Sequence, residues 1–258
     1  MLLAIDCGNT NIVFGLYDGD NQCANWRIST DSRRTTDEYL VCLKQFLAIE
    51  NLGFDCVSGI IIACVVPEVQ PRLSELSSKG FGLKPMLIGS SNVDLGIDVQ
   101  IDRPEQVGSD RLVNAVALRD FFDSPAIVLD FGTATTLDLV GNDGAYMGGI
   151  IAPGVNLSVE ALHLAAANLP RILVVPWAKD MPILGKDTTN AMRSGIFWGY
   201  VGMVEGLIDR LRANYGKDLP AVATGGLAPL FADHISAISA VDLDLTLKGL
   251  ARIYEYNK

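Results

Sequence analysis

The sequence predicts an α/β protein made of two related half-domains. The first observation is a β-hairpin pattern at Leu2–Gly19, where an apolar run ends in Asp6 and a tight turn of small residues follows. The second observation is the return of this pattern at Ile127–Gly144, around Asp130. The third is the alternation of short apolar strands with helical patterns after each hairpin. Two such hairpins in one chain indicate a duplicated unit.

The composition is that of a well-packed globular protein with an acidic balance. Hydrophobic residues make up 49% of the 258 residues and charged residues 19%, which excludes a disordered chain. The net charge of -10 argues against nucleic acid or an anionic membrane as the main partner, because both favour basic patches. Any anionic substrate must therefore be met by local basic groups.

The cysteines, histidines and N-terminus argue against several further classes. Five scattered cysteines without a C-x-x-C pair favour buried reduced thiols over disulfides or a metal centre. His163 and His234 are the only histidines, and neither has a motif that supports a zinc site or a catalytic triad. The N-terminus lacks the features of a signal peptide, and no apolar stretch reaches membrane-spanning length. We therefore expect a cytoplasmic protein.

The turn of the first hairpin carries groups suited to a nucleotide. Gly8 lets a ligand approach the backbone, whose N–H groups can face phosphate oxygens. Asn9, Thr10 and Asn11 add hydrogen-bonding side chains. Asp6 can hold a hydrated Mg²⁺ that lies between its carboxylate and the phosphates. The turn is thus a candidate site for Mg-ATP.

The second hairpin matches the first one position by position. An alignment of Asp6 with Asp130 places Gly8 on Gly132, Asn9 on Thr133 and Asn11 on Thr135. We therefore expect the two half-domains to face each other across a nucleotide cleft.

The first half follows an order of elements that points to its architecture. After the hairpin, the patterns predict a strand at Asn21–Ser29, a loop at Thr30–Asp37, a helix at Glu38–Ile49 capped by Thr36 or Asp37, a strand at Val57–Val66, a helix at Glu68–Ser77 and a strand at Pro85–Ile88. The order β-β-β-α-β-α-β is that of one half of the ribonuclease-H-like, actin-type ATPase architecture. A doubly wound Rossmann sheet would begin β-α-β with a G-x-G-x-x-G motif, which is absent.

A long irregular loop, Ser90–Val107, leads to a second candidate site. It ends in Gly108-Ser109-Asp110-Arg111, which runs into a predicted helix at Leu112–Phe122. A carboxylate and a guanidinium thus stand at a helix N-terminus, beside free backbone N–H groups. The local sequence fits a binding site and a simple helix cap, Ser109 or Asp110, equally well. The next residues, Asp123-Ser124-Pro125, mark the boundary between halves 1–122 and 123–258.

The second half repeats the strand and helix pattern. It predicts a strand near Ala145–Ile151, a helix at Val155–Ala166, an irregular stretch at Leu169–Trp177, a long helix at Thr189–Tyr215, a strand at Ala221–Gly226 and a last helix at Leu245–Tyr256. The long helix has glycines at three- and four-residue spacing, which fits close intramolecular packing or a dimer interface. The strand that ends in T-G-G can admit an adenine or a ribose against the backbone.

With these motifs in order, the chain resembles the type III pantothenate kinase family of the acetate and sugar kinase, heat-shock chaperone and actin superfamily. The resemblance runs from Leu2 to the C-terminal helix. It rests on D-C-G-N-T-N at Asp6–Asn11, P-E-x-V-G-S-D-R ending at Arg111, D-F-G-T-A-T-T-L-D at Asp130–Asp138, G-K-D-T at Gly185–Thr188 and A-T-G-G at Ala223–Gly226. It implies phosphorylation of pantothenate to 4′-phosphopantothenate by ATP, the first step of coenzyme A biosynthesis.

The resemblance also assigns roles to single residues. The residues implied in binding the ATP phosphates with Mg²⁺ are Asp6, Cys7, Gly8, Asn9, Thr10, Asn11, Ile12 and Val13, with Thr133 as a further ATP contact. The residues implied in binding pantothenate are Gly108, Ser109, Asp110 and Arg111, with Thr188 from the second half. Asp110 is implied as the general base, and Asp130 as the ligand of a monovalent cation, K⁺ or NH₄⁺. The family works as homodimers.

Three departures and three alternatives accompany this interpretation. Ser109 stands where the family commonly has alanine, Ile101 where it often has tyrosine, and Asp187 where asparagine is common. If that tyrosine helps to close the pocket, the substrate contacts at Ile101 differ from those of the family. Asp187 is assigned no role. One alternative is another small-molecule kinase of the superfamily, and the second is a non-catalytic nucleotide-binding accessory or regulatory protein. That protein would be expected to lose Asp6, Asp110 or Asp130, and all three are present. The third, an actin-like or chaperone-like ATPase, needs a considerably longer chain.

Overall fold

The structure is a computed structural model that describes residues 1–166, 168–216 and 218–258. The chain divides into two compact units, and each contains one five-stranded sheet. Unit 1 consists of Met1–Phe122 and Asp244–Lys258, and unit 2 of Asp123–Leu243. Within the described residues, no helix combines the length and the apolar character needed to cross a membrane.

The secondary structure alternates as the sequence predicts. In chain order the elements are β1 (Leu2–Cys7), β2 (Asn11–Asp18), β3 (Asn21–Ser29), α1 (Thr36–Ile49), β4 (Gly59–Cys64), α2 (Gln70–Phe81), β5 (Met86–Leu87), α3 (Ser109–Phe121), β6 (Ala126–Phe131), β7 (Ala134–Val140), β8 (Tyr146–Pro153), α4 (Val155–Ala165), α5 (Thr188–Tyr215), β9 (Ala221–Thr224), α6 (Ala228–Phe231), β10 (Ile238–Val241) and α7 (Leu245–Tyr256).

The strands β1 and β4 at the centre of the unit 1 sheet are buried on both faces, which explains the continuous apolar run of β1. Its strand order is β3-β2-β1-β4-β5, with β2 antiparallel to β1 and β3, and β4 and β5 parallel to β1. Because side chains alternate along a strand, Leu3 and Ile5 share a core with α1 and α2. Leu2 and Ala4 point to the other face and share a core with α3 and α7.

The last helix belongs to unit 1, whereas the sequence predicted it in the second half. Leu247, Leu250 and Ile253 of α7 are buried in the same core as Leu2 and Ala4 of β1. The predicted bounds of α7 are correct, but its location is not. The sheet of unit 1 needs a cover for its second face, and an apolar helix at the end of the chain supplies it.

The sheet of unit 2 has the order β8-β7-β6-β9-β10. β7 is antiparallel to β6 and β8, and β9 and β10 run parallel to β6. A core of buried apolar side chains joins one face of this sheet to α4, α5 and α6. The short helix α6 and most of strand β10 were not predicted from the sequence, because four residues give too little periodicity to recognise.

The two sheets repeat each other strand for strand, so the predicted duplication is confirmed. β1 and β6 are the central strands, each flanked by an antiparallel hairpin partner and a parallel strand. The register corrects the sequence alignment in one detail: Asp6 pairs with Val13, whereas Asp130 pairs with Thr136. The second turn is therefore one residue shorter, and Asn11 corresponds to Ala134 rather than to Thr135.

Candidate active site

The first hairpin places Asp6 near the end of the central strand β1. Asp6 lies between Val13 of β2 and Ala63 of β4, and it is half-buried. The following turn is closed by the Gly8 N–H, which donates to the Asn11 carbonyl oxygen at 3.0 Å. Asn9 and Thr10 form the exposed tip of this turn. The backbone of the turn is therefore open to a ligand on its outer side.

Three of the residues implied in nucleotide binding offer no charged or polar side-chain group to a ligand. Ile12 is fully buried in the core of unit 1, so its side chain is not available to a ligand. Cys7 is also fully buried, and it lies in register with Cys64 of the neighbouring strand. A hydrogen bond with Cys64 and burial raise the pKa of the Cys7 thiol. Cys7 is therefore a neutral side chain rather than a thiolate ligand. Val13 adds an apolar side chain beside Asp6.

One residue links this hairpin to the start of α3. The backbone N–H of Val65, just after β4, donates to the Cys7 carbonyl oxygen at 3.0 Å. The Cγ1 atom of Val65 lies 3.8 Å from the position that a Cβ on Gly108 would occupy. The structure thus brings the G-S-D-R segment to the same edge of the unit 1 sheet as the hairpin turn, about 100 residues earlier in the chain.

The carboxylate of Asp110 is folded back over Gly108 at the N-terminus of α3. Its Oδ1 accepts the Arg111 backbone N–H at 2.9 Å. A Cβ on Gly108 would lie only 2.5 Å from this Oδ1, so glycine leaves the space that the carboxylate fills. Gly108, and neither Ser109 nor Asp110, is the N-cap residue. The simple helix cap considered for the sequence is therefore wrong.

The hydroxyl of Ser109 is not available to a ligand at the N-terminus of α3. Its Oγ atom is buried and has no hydrogen-bond partner among the residues that the structure describes. A buried hydroxyl without a partner destabilises a protein by about 1–3 kcal/mol, and the alanine common in the family avoids that cost. The departure at Ser109 thus adds no exposed polar group to the segment.

Unit 2 presents the second hairpin with a different set of close contacts. Asp130 lies between Thr136 of β7 and Thr224 of β9. Gly225 follows Thr224 with a φ of +86°, and a Cβ there would lie 2.4 Å from the Asp130 Oδ1. Only glycine fits this position, because that Cβ would also lie 2.6 Å from the carbonyl carbon and oxygen of Phe131. The T-G-G turn is thus packed directly on the Asp130 carboxylate.

The turn after Asp130 packs against Gly154, the N-cap residue of α4. A Cβ on Gly154 would lie 1.9 Å from the Thr133 carbonyl oxygen, which no side chain can accept. Thr133 itself is exposed at the tip of the turn. The close approach of Gly154 therefore fixes the backbone of Thr133 without covering its side chain.

Thr188 is the first residue of α5, and it is exposed. Asp187, to which the sequence assigned no role, is the N-cap: its carboxylate accepts the Asn190 backbone N–H at 2.9 Å. The same hydrogen bond lowers the pKa of Asp187. Asp187 therefore fixes the start of the helix that presents Thr188.

Comparison with known proteins identifies the family. The model of the family described as type III pantothenate kinase matches residues 2–210. The chain belongs to the type III pantothenate kinase family. A type III pantothenate kinase from Paramagnetospirillum magneticum is 53% identical over 257 residues, which cover 100% of this chain and 98% of that protein. Another from Rhodospirillum rubrum is 50% identical over 258 residues, with 100% and 99% coverage.

Solved structures confirm the predicted fold class at much lower identity. A chain from Campylobacter jejuni described as a Baf family transcriptional activator has a TM-score of 0.60 and 20% identity, with 99% of this chain and 98% of that chain covered. Component A of (R)-2-hydroxyglutaryl-CoA dehydratase from Acidaminococcus fermentans has a TM-score of 0.56 and 16% identity, with 99% and 96% covered. At these identities the likeness shows the fold alone.

Three residues that support the candidate site were missed or assigned a different role in the sequence analysis. They are Thr30, whose contacts to the first turn are described below, Gly154 and Gly225. Each acts on a residue more than 20 positions away, so no local pattern identifies it. The predicted roles of the site residues themselves stay predictions that the geometry of each unit accommodates.

The donor atoms of the site fit the groups that a kinase of this family uses. Kinases of this family require ATP and a divalent metal. Asp6 and Asp130 offer carboxylate oxygens, which are ligands that Mg²⁺ prefers. No cluster of three or more potential metal ligands of the His, Cys, Asp or Glu type occurs in the described part of the chain. In kinase sites Mg²⁺ is usually held by one or two carboxylates together with substrate phosphates.

Proposed function

We propose that this chain transfers the γ-phosphoryl group of ATP to the hydroxyl of pantothenate with Asp110 as the general base. Family membership makes the chain a pantothenate kinase, and pantothenate phosphorylation belongs to coenzyme A biosynthesis. The assignment of single residues is our proposal. The observation that carries it is the link through Val65, which brings the segment with Asp110 to the edge of the sheet that bears the hairpin turn.

In this proposal the first hairpin holds the nucleotide phosphates. The backbone N–H groups of Asn9, Thr10 and Asn11 would face the phosphate oxygens, and Asp6 would hold the Mg²⁺ ion through a carboxylate oxygen. When bound, Mg²⁺ neutralises charge on the phosphates. Phosphoryl transfer needs mainly this positioning and charge neutralisation, because its transition state is loose.

Asp110 orients the hydroxyl of pantothenate and accepts its proton. The Arg111 N–H fixes one carboxylate oxygen, so the carboxylate does not rotate freely when the substrate binds. Arg111 offers a guanidinium to the carboxylate of pantothenate or to the moving phosphoryl group in a chain of net charge -10. Thr188 contacts the substrate from unit 2.

Asp130 is the proposed ligand of a monovalent cation, K⁺ or NH₄⁺. Its Oδ1 lies against the backbone of Gly225, where a larger residue would displace it. Carbonyl and carboxylate oxygens together are the ligands that such cations accept. Thr133, on the supported turn after Asp130, is the proposed ATP contact of unit 2.

We also propose that the working form is a homodimer, located in the cytoplasm. A Cβ on Gly195, Gly199 or Gly202 of α5 would meet no other atom within 4 Å in the described part of the chain. The glycine spacing therefore does not serve packing between described helices of one chain. Unit 2 also exposes Leu157 and Leu164 of α4, at 53% and 75%. A second copy that packs on this surface would bury them.

The test of the catalytic proposal is ADP release by the purified chain with ATP, Mg²⁺ and pantothenate, in potassium and in sodium buffer. We expect turnover that depends on pantothenate and potassium, and a fall of about 10²–10⁴-fold in kcat for Asp110→Asn. Full activity of Asp110→Asn would disprove the base assignment and leave the kinase intact. Equal rates in sodium and potassium would disprove the cation site. A folded chain that releases no ADP in potassium or ammonium would favour a non-catalytic accessory role.

A further inference from the structure

Thr30, which follows β3, makes two hydrogen bonds to the turn of the first hairpin. Its Oγ1 donates to the Gly8 carbonyl oxygen at 2.7 Å. Its backbone N–H donates to the Thr10 carbonyl oxygen at 2.9 Å. Both acceptors lie in the segment that we propose for the ATP phosphates. Thr30 therefore holds two of the peptide groups of this turn at once.

The orientation of these carbonyls fixes the orientation of the next N–H groups. In a trans peptide, the C=O of one residue and the N–H of the next point in opposite directions. Because the Gly8 carbonyl points to Thr30, the Asn9 N–H points away from Thr30. The Thr10 carbonyl fixes the Asn11 N–H in the same way. The contacts of Thr30 thus turn two backbone donors toward the side of the turn that lies opposite to Thr30.

Thr30 is itself held at both ends, so it is a rigid support. On one side, β3 pairs with β2 from Asn21 to Ser29. On the other side, the Nη1 of Arg72 donates to the carbonyl oxygens of Arg34, at 2.9 Å, and of Ser32. The loop then enters α1 through Thr35, whose backbone N–H donates to the Glu38 carboxylate at 2.6 Å.

We propose that Thr30 is a positioning residue for the ATP phosphates, because its hydroxyl fixes the peptide group that carries the Asn9 N–H. The inference rests on the proposed function of the first hairpin. Thr30 does not touch the phosphates in this proposal. It acts through the peptide group between Gly8 and Asn9, and its removal loosens that group while the strand pairing of β1 and β2 remains.

The experiment compares Thr30→Val, which removes the hydroxyl at nearly constant shape, with Thr30→Ser, which keeps it. Steady-state kinetics of the full chain with MgATP and pantothenate give KM for each substrate, and calorimetry gives the affinity for Mg²⁺ and a non-hydrolysable ATP analogue. One lost hydrogen bond predicts a roughly tenfold rise in KM for ATP and in the dissociation constant of the analogue for Thr30→Val. KM for pantothenate should change less than about twofold, and Thr30→Ser should restore nucleotide affinity.

Ser77→Ala is the matched control. The Ser77 hydroxyl also donates to a backbone carbonyl, that of Leu73 at 2.9 Å, but within α2. Ser77→Ala should lower Tm without a change in KM for ATP. Thr30→Val with unchanged nucleotide affinity would overturn the proposal, and so would an equal rise in both KM values that Thr30→Ser fails to restore. Asp6→Asn distinguishes failure of the Thr30 proposal from failure of the proposed nucleotide site at the first hairpin. If Asp6→Asn also leaves nucleotide affinity unchanged, the hairpin does not bind the nucleotide and the role of Thr30 fails with it.

Discussion

Gly108 shows how a missing side chain positions a reactive one. The backbone of Gly108, with φ of -58° and ψ of 138°, is one that any residue adopts. Glycine is therefore not required by the backbone conformation. It is required by the Asp110 carboxylate, which occupies the space of the absent Cβ. The effect of a substitution at Gly108 should thus appear in catalysis rather than in stability.

We expect Gly108→Ala to fold and to lose activity. The added methyl group must displace the Asp110 carboxylate, a flexible side-chain end that moves at little cost in stability. A shift of about 1 Å in a reacting group lowers kcat by up to about 100-fold. Kinetics should therefore show a large fall in kcat, while Tm stays within a few degrees of the wild-type value.

Gly206→Ala in α5 serves as the control for the glycine-to-alanine change. The nearest atom to its Cβ is the end of the Arg210 side chain at 3.1 Å, which can move. Alanine favours a helix over glycine by roughly 0.8–1 kcal/mol, so this variant should be stable and active. If Gly108→Ala kept full kcat, the position of the Asp110 carboxylate over Gly108 would be irrelevant to catalysis.

At the level of single residues, the sequence predicts the side chains that can bind or react with a ligand, but not the residues that fix their positions. Asp6, Gly8 and Asp110 stand in short motifs whose local spacing carries the chemical meaning. Thr30 lies in an unremarkable segment, and Gly225 lies in a motif that predicted a nucleotide contact rather than a contact with Asp130. Both residues reach their targets only through the pairing of β3 and β9. Such contacts depend on tertiary structure, so a local pattern cannot contain them.

Among the elements, α1 begins at a cap signal that lies one or two residues before the predicted cap residues. The predicted N-cap was Thr36 or Asp37, whereas Thr35 is the cap. Thr35 and Glu38 form a capping box, in which Glu38 N–H donates to Thr35 Oγ1 and the Glu38 carboxylate accepts the Thr35 N–H. The backbone hydrogen bond from Thr35 lowers the pKa of Glu38.

The lowered pKa of Glu38 predicts a pH dependence of stability. A carboxylate whose pKa is depressed in the folded state stabilises the fold above its unfolded pKa, and that contribution disappears as the pH falls through the folded value. We compare wild type with Glu38→Gln, which keeps an acceptor but lacks the charge. Wild type should have the higher Tm at pH 7. The difference should begin to shrink near the unfolded glutamate pKa of about 4.3 and vanish once the pH falls below the lower pKa of folded Glu38.

Gln45→Leu, an exposed change on the same helix, should give a Tm difference that does not depend on pH in this range. A constant difference between wild type and Glu38→Gln from pH 7 to the acid limit would show that the charge of Glu38 does not stabilise α1. The interpretation of the capping box as a source of stability through its ionised form would then be wrong.

For the whole molecule, duplication was visible in the sequence and the path of the last helix was not. The two hairpins repeat an acid and a glycine two residues later, between similar apolar runs, which sufficed to predict two equivalent sheets. No local feature of Leu245–Tyr256 distinguishes one sheet from the other, because its apolar face fits any apolar surface. Its location in unit 1 follows from the uncovered second face of that sheet, a property of the assembled chain.

The proposed homodimer gives the final prediction, through the glycines of α5. Leucine favours a helix over glycine by roughly 0.5–1 kcal/mol, so Gly199→Leu should stabilise an isolated chain. In a dimer that packs on this surface, the same side chain prevents the close approach of the second copy. We therefore expect wild type to sediment with the mass of two chains and Gly199→Leu with the mass of one. The Tm of wild type should rise with protein concentration, while that of Gly199→Leu should not.

Gln45→Leu, which adds the same side chain to α1, should leave the dimer intact. A Gly199→Leu variant that remains dimeric would place the interface elsewhere on the chain, and a wild type that is monomeric at every concentration would disprove the dimer itself.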